Sequence, residues 1–342
     1  MARYGILLCP HMNARYEQSL KQLSQAEFFL IAQREGMDAN AEEENVGPLP
    51  LMAFATKEAL TERQIRALAR MSSFQALFSI EKGQRLLPLA VGGQGAFFDL
   101  PSIMKYKGKT NETFTRFLIN AALFSSEADF ESSLCLLDPM CGKGTTLYCA
   151  WGYQMNAIGI EHDKKEIHEA TAFVKNYLQR ARMKYTQATS ARTLSRGMAP
   201  EIRFSLKEKN KEKHSAESTS AEGLTMAFLT GDARHAPAML GKKKANIIAA
   251  DLPYGILHGN GKSKKGNDTL IMLKKCLPEW KKVTAQGGAM ALSFNRYTMP
   301  REAMQQACEE AGWYVKTGDA YDSMEHWVEQ AVMRDVIVAQ KK

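Results

Sequence analysis

No run of apolar residues in this 342-residue chain approaches the length of a membrane span, and the longest near the start, Tyr4–Cys9, is too short for a signal-peptide core. The expectation is a cytoplasmic protein. Cysteine is sparse. Cys9, Cys135, Cys141, Cys149, Cys276 and Cys308 form no CxxC pair and no zinc-like spacing, which argues for reduced, packed thiols and against a disulfide framework or structural metal. There is no GxGxxG: after Gly142-Lys-Gly144 the third glycine position holds Leu147, which weakens a nicotinamide reading. A nucleophilic cysteine beside proline is also missing, since Cys276-Leu-Pro278 has the wrong spacing and falls in a helical stretch, so cytosine-C5 chemistry is rejected. No internal repeat is present.

What the chain has is length enough for two domains and a net charge of +8 that is unevenly spread. Residues 1–60 carry eight acids against five bases, whereas lysine and arginine gather at 105–116, 175–213 and 242–282. A basic surface suits a polyphosphate partner, because neutralising phosphates releases counterions; solvated lysines on a soluble protein would look the same.

Residues 1–94 read as a small α+β unit that could position RNA. A strand at Tyr4–Cys9 precedes a helix opened by Asn13, then come a strand at Leu51–Ala55, a helix capped by the box Thr61-Glu-Arg-Gln64, and a hairpin of Phe74–Ile80 with Arg85–Val91. The glycines of 92–95 mark the boundary. Residues 95–342 open with a helix at Asn111–Phe124 and then alternate strands and helices. Strands are expected at Leu134–Leu137, Ala157–Glu161, Ala227–Thr230, Ala245–Ala250, Ala289–Phe294 and Val332–Ala339. That alternation predicts a doubly wound α/β sheet with any ligand along the strand ends. A charged, aperiodic insertion is expected at 205–223.

Four strand ends carry the chemistry. Asp138-Pro-Met140-Cys141-Gly142-Lys-Gly144-Thr145 turns a buried strand into a helix whose free N–H groups can face a carboxylate or phosphate. Gly159-Ile-Glu161 ends the next strand with an acid able to accept ribose hydroxyls, while Asp163 suits a helix cap. At Gly231-Asp232-Ala233, Asp232 can accept from an adenine amine and the small Ala233 lets the ring approach. Asp251-Leu252-Pro253-Tyr254-Gly255 is the most specific. The lone pair of an aromatic amine is delocalised into its ring. A carboxylate at Asp251 and a backbone carbonyl at Leu252 or Pro253 can accept its N–H bonds and stabilise the charge that grows during transfer. Tyr254 offers a face for stacking an extruded base. Lys262, Lys264 and Lys265, just beyond, could hold phosphates or simply be solvated; His258 is not required as a base.

From about Phe97 onward these motifs, with Tyr106–Thr115, resemble the amino-methylating class I methyltransferases, and among them the tRNA guanine-N2 enzymes that carry a THUMP domain. The resemblance implies S-adenosylmethionine as donor, tRNA as partner, and a Rossmann-like, mostly parallel seven-stranded sheet. It also implies a last antiparallel hairpin, with Trp313–Thr317 and Val332–Ala339 as candidates. A DNA adenine-N6 or cytosine-N4 methyltransferase is the alternative, since D-x-P-Y suits any exocyclic amine. A catalytically inactive RNA-binding module is the third reading. The N-terminal part is shorter than a full THUMP module with its companion domain.

Overall fold

A computed structural model describes residues 1–10, 14–91, 97–106, 108–195, 197–207, 223–253 and 264–342. The first half-dozen elements are β1 (Ala2–Leu8), α1 (Ala14–Arg34), β2 (Glu42–Val46), β3 (Leu49–Thr56), α2 (Glu62–Leu68) and β4 (Phe74–Glu81), with β5 (Arg85–Pro88) closing the unit. The strands form an antiparallel sheet in the order β2-β3-β1-β4-β5. The capping box is present: the Thr61 hydroxyl accepts the Gln64 amide at 3.2 Å, and the Gln64 side chain accepts the Thr61 amide at 3.0 Å. β2 was not expected. Its Glu42-Glu-Glu run lacks apolar alternation, and Glu43 and Glu44 instead pair with Lys21 and Arg3 at the sheet edge. Charge of this kind blunts an edge strand against further pairing.

The second region begins with α3 (Leu100–Ile103) and α4 (Glu112–Phe124), capped by the Asn111 side chain at 2.8 Å from the Thr113 amide. Then follow β6 (Cys135–Asp138), α5 (Thr145–Gly152), β7 (Asn156–Glu161), α6 (Lys164–Arg180), β8 (Tyr185–Thr193), β9 (Met198–Leu206) and β10 (Thr225–Thr230). The remainder comprises α7 (Ala236–Leu240), β11 (Ala245–Asp251), α8 (Lys264–Val283), β12 (Thr284–Asn295), α9 (Arg301–Glu310), β13 (Tyr314–Val315), α10 (Asp319–Asp322), β14 (His326–Glu329) and β15 (Val332–Gln340). The sheet runs β13-β15-β12-β11-β6-β7-β10-β9-β8, with β14 on β15.

This is a Rossmann-like α/β fold. β10, β7, β6, β11 and β12 pair in parallel, and β15 enters antiparallel between β12 and β13. These are the seven strands expected, and three more extend them. The hairpin β8–β9 was unread because Tyr185–Thr193 is almost wholly exposed and polar. β9 runs into the start of the expected insertion at 205–223; residues 208–222 lie outside the described residues, as do 92–96 at the expected domain boundary.

Both sheet faces are covered, so strand residues alternate between two cores. Leu136, Ile247, Ala249, Ala291 and Val336 face α4, α5 and α6; Leu137, Ile248, Ala250, Leu292 and Ile337 face α7, α8 and α9. Strands buried on both sides read as continuous apolar runs, which is why these were legible. The N-terminal sheet is docked through α1 onto α4, and one core runs through both. Around it, Arg63 reaches Glu35, Asp129 and Glu131, and the Gln22 amide donates to the Ser323 carbonyl at 2.6 Å. No helix among the described residues is long and apolar enough to cross a membrane.

Candidate active site

The parallel strands β6, β7, β10 and β11 end along one edge, and each delivers an acid there: Asp138, Glu161, Asp232 just past Thr230, and Asp251. Asp138 is buried and accepts the Met140 amide at 3.0 Å, which folds the turn back on the strand end. Gly142 adopts φ +49° and Gly144 φ +87°. A β-carbon on Gly142 would meet nothing within 4 Å, so the backbone there lies open to a ligand. Gly159 has a different reason to be glycine. An added β-carbon would stand 2.5 Å from Cys141 Sγ and 2.9 Å from Leu147, so its absence lets the turn sit down on β7. The Cys141 thiol is buried there and its pKa is pushed well up, chiefly by burial and then by Asp138. A thiolate nucleophile is thereby disfavoured, and packing is the role it shows.

Glu161 joins β7 to this turn: its carboxylate accepts the Gly142 amide at 3.1 Å, the Asp163 amide at 2.9 Å and His162 Nδ1 at 2.8 Å. Asp163 caps α6 as expected, accepting the Lys165 amide at 2.8 Å. Asp232 caps a short 3-10 turn through the Arg234 amide at 2.9 Å, and the Arg234 guanidinium, gripping both oxygens, holds its carboxyl below the usual range. The Gly231 amide donates to the Glu161 carbonyl at 2.9 Å, which sets Asp232 and Ala233 beside the end of β7.

A cavity of about 320 Å³ opens between the glycine turn and the end of β11. Asp138, Met140, Cys141, Gly142, Thr145 and Asp251 all line it, so two motifs separated by more than a hundred residues share one wall. Gly144 caps α5, and it, Glu161, Asp232 and Ala233 do not line the cavity. Leu252 is buried and its amide donates to the Ser293 carbonyl at 2.9 Å; Pro253 is exposed. Tyr254 and Lys262 lie outside the described residues. Lys264 and Lys265 are the first two residues of α8.

Four functional neighbours were missed in the sequence. The Thr110 hydroxyl donates to Asp251 Oδ2 at 2.5 Å, Ser293 donates to Oδ1 at 2.7 Å, and an Arg334 nitrogen lies 3.8 Å from Oδ2. Tyr106 closes the cofactor-turn side, its hydroxyl 2.9 Å from that of Thr145. Thr110 and Tyr106 belong to a segment already suspected. Ser293 and Arg334 lie in strands that read as core, and only sheet pairing brings them to Asp251.

The cavity is acidic. Asp138, Glu166 and Asp251 line it and Glu161 accepts from its Gly142 amide, while the lining Lys143 is bound to Glu169 at 2.5 Å. Burial, and then the charges of Asp251 and Glu161, push the Asp138 carboxyl up to about 7. Such a site favours a cation. S-adenosylmethionine carries a sulfonium and an ammonium, and the open backbone at Gly142 leaves room beside them, so these residues fit it.

Residues 118–320, more than half of the chain, match the family described as RMKL-like, methyltransferase domain. No curated protein matches the chain in sequence. Among solved structures, TrmN from Thermus thermophilus aligns over 100% of both chains at 12% identity (TM-score 0.38). A methyltransferase from Clostridium acetobutylicum aligns over 71% of this chain and 96% of its own at 11% identity (TM-score 0.39). Fibrillarin from Methanococcus jannaschii aligns over 78% and 94% at 12% identity (TM-score 0.37). On the family match and the fit of its cavity, the chain belongs to the RMKL-like methyltransferase domain family and takes S-adenosylmethionine as methyl donor.

Proposed function

We propose that the protein methylates an exocyclic amino group of a nucleic-acid base, guanine N2 in tRNA being the expected target. The observation that carries this reading is the placement of Asp251, whose carboxylate forms the wall of the same cavity that the glycine turn opens. The bound donor supplies a methyl group from its sulfonium and leaves as a neutral thioether. On the protein's side, Asp251 and the carbonyl of Leu252 or Pro253 accept the amine's N–H bonds. They hold its lone pair toward the methyl carbon and stabilise the positive charge that develops on nitrogen. The surplus proton then leaves to water, and Tyr254 stacks on the base.

In this reading Asp138, Met140, Cys141, Gly142, Gly144 and Thr145 hold the cofactor's amino-acid end and sugar, and Glu161 takes the ribose. Its carboxylate has about four lone-pair sites. Three are used by Gly142, Asp163 and His162, which leaves one for a ribose hydroxyl, and the exposed His162 can yield a second. Asp232 reaches adenine only if Arg234 lets go, which costs little for an exposed pair. Ala233 leaves space for the ring. Lys262, Lys264 and Lys265 contact phosphates, the net charge of +8 favours a polyanion, and the unit before residue 95 positions the RNA.

The test is nucleoside mass spectrometry of tRNA and of DNA after incubation with the protein and methyl-labelled S-adenosylmethionine. Label in N2-methylguanosine of tRNA supports the reading. Label in DNA N6-methyladenine or N4-methylcytosine replaces it with the DNA alternative, and no label in any nucleic acid removes it.

A further inference from the structure

We propose that Arg334, with Ser293, is a positioning residue for Asp251: a buried guanidinium and a hydroxyl hold the carboxylate so that it meets the acceptor amine from the cavity side. The inference rests on the amino-methyl-transfer reading of Asp251.

The sheet register builds this arrangement. Asp251 on β11 pairs with Ser293 on β12, Ser293 pairs with Val336 on β15, and Arg334 is two residues from Val336 and therefore on the same face. Val336 itself packs toward α4, with Ala249 and Ala291, so the polar row Asp251, Ser293, Arg334 is the catalytic-edge continuation of an otherwise apolar face. Phe114 of α4 lies on that row, with the Arg334 guanidinium 4.2 Å from its ring centre. The Arg334 side chain is only 6% exposed. A guanidinium this deep is kept in place by a carboxylate partner and an aromatic face together.

Among the described residues, three neighbours hold the Asp251 carboxylate. Ser293 holds Oδ1 from the next strand, Arg334 stands behind Oδ2 from the strand beyond, and Thr110 reaches Oδ2 from the cavity side. Thr110 marks the position an N–H of the acceptor would take, whereas Ser293 and Arg334 stay. Among the described residues, Asp138 across the cavity and His326 on β14, opposite Arg334 in the register, also face this row. His326 cannot replace the arginine. Burial lowers its pKa to about 4 despite the Met324 carbonyl 3.0 Å from its Nδ1, so it stays neutral. With Asp138 adding negative charge nearby, Asp251 without Arg334 loses the buried guanidinium that holds it toward the amine.

The experiment joins a thermal double-mutant cycle to kinetics, using the full chain, radiolabelled S-adenosylmethionine and unfractionated tRNA. Arg334→Met, which keeps the packing stem, is expected to lower Tm by about 1–4 °C more with Asp251 present than in an Asp251→Asn background. The same variant should lose about ten-fold or more in kcat while KM for S-adenosylmethionine stays within two-fold, and Arg334→Lys should recover most of the rate. Equal Tm losses in both backgrounds would overturn the proposal. So would an Arg334→Met protein with full kcat, since the arginine would then serve stability alone. If the wild-type protein methylates no nucleic acid, the amino-transfer reading falls, and a positioning role for Arg334 falls with it even where the thermal cycle shows the pair. Coupling in the cycle with normal wild-type turnover and a depressed Arg334→Met rate is the outcome that supports it.

Discussion

Two buried carboxylates, Glu27 and Asp138, are pushed up to about 7, each mainly by burial, yet they do different things. Glu27 sits in α1, where the N-terminal sheet docks on α4. It accepts the Ser72 amide at 3.0 Å, the Ser72 hydroxyl at 2.7 Å and the Asn120 amide at 2.7 Å, and its hydrogen bonds oppose the effect of burial. Asp138 also accepts hydrogen bonds that oppose burial, from the Met140 amide and Thr146, but the charges of Asp251 and Glu161 add to burial and it lines a cavity. A donor-surrounded acid in a closed interface is a fastener. An acid crowded by like charge on a cavity wall awaits a cation. A raised pKa by itself does not tell the two apart; the neighbours and the open space do.

The sharpest separation between the two clusters should come from Asp251→Ala. Turnover on the cognate nucleic acid should fall on the order of 10²-fold or more, since a positioned acceptor of developing charge is lost. Calorimetry should find S-adenosylmethionine affinity within a few-fold of wild type. Retained turnover would mean that the cavity does not do amine chemistry.

Glu27 should appear in stability alone. Its folded pKa, about 7, lies above its ordinary 4.5, so the folded state holds the proton more tightly. Its stabilising contribution is therefore full below about pH 4.5 and is lost as pH rises through 7, by up to about 3 kcal/mol. Denaturant titrations across that range should show a flatter pH dependence for Glu27→Gln than for wild type, with S-adenosylmethionine affinity unchanged. If cofactor affinity moved with Glu27, the interface would be coupled to the site and the contrast would dissolve.

Gly159→Ala tests how the turn is seated. The new methyl would overlap Cys141 and Leu147, and overpacking of this kind costs about 1–3 kcal/mol. Thermal unfolding should show the loss, and cofactor binding should weaken because the displaced turn carries Gly142. The pair Gly159→Ala, Cys141→Ala should recover much of both; no recovery would place the strain elsewhere.

The smallest effect is the pH dependence of cofactor binding. Ionised Asp138 favours a cationic ligand, so affinity should rise as pH increases from 6 to 8, by up to about ten-fold, and Asp138→Asn should remove the rise. Isothermal titration at three pH values decides it. A rise that survives in the asparagine variant belongs to another group.

Much of this was written in the order of residues. Runs such as Ala245–Ala250 are apolar because both faces of their strands are covered, and the acids and glycines that close them fall at the strand ends where ligands sit. Those local signals gave the parallel sheet, the helix caps at Thr61 and Asp163, and the strand-end edge that Asp138 and Asp251 share. Exposed strands left no such trace: β2 is acidic, β8 is polar, and neither buries an alternating face. Nor could the chain announce that Glu27 lies against Asn120, that Gly159 makes room for Cys141, or that Ser293 and Arg334 stand behind Asp251. Each of those depends on which residue of one element lies opposite which residue of another. Strand register and helix docking settle that through packing across the whole sheet, so only the tertiary structure could decide it.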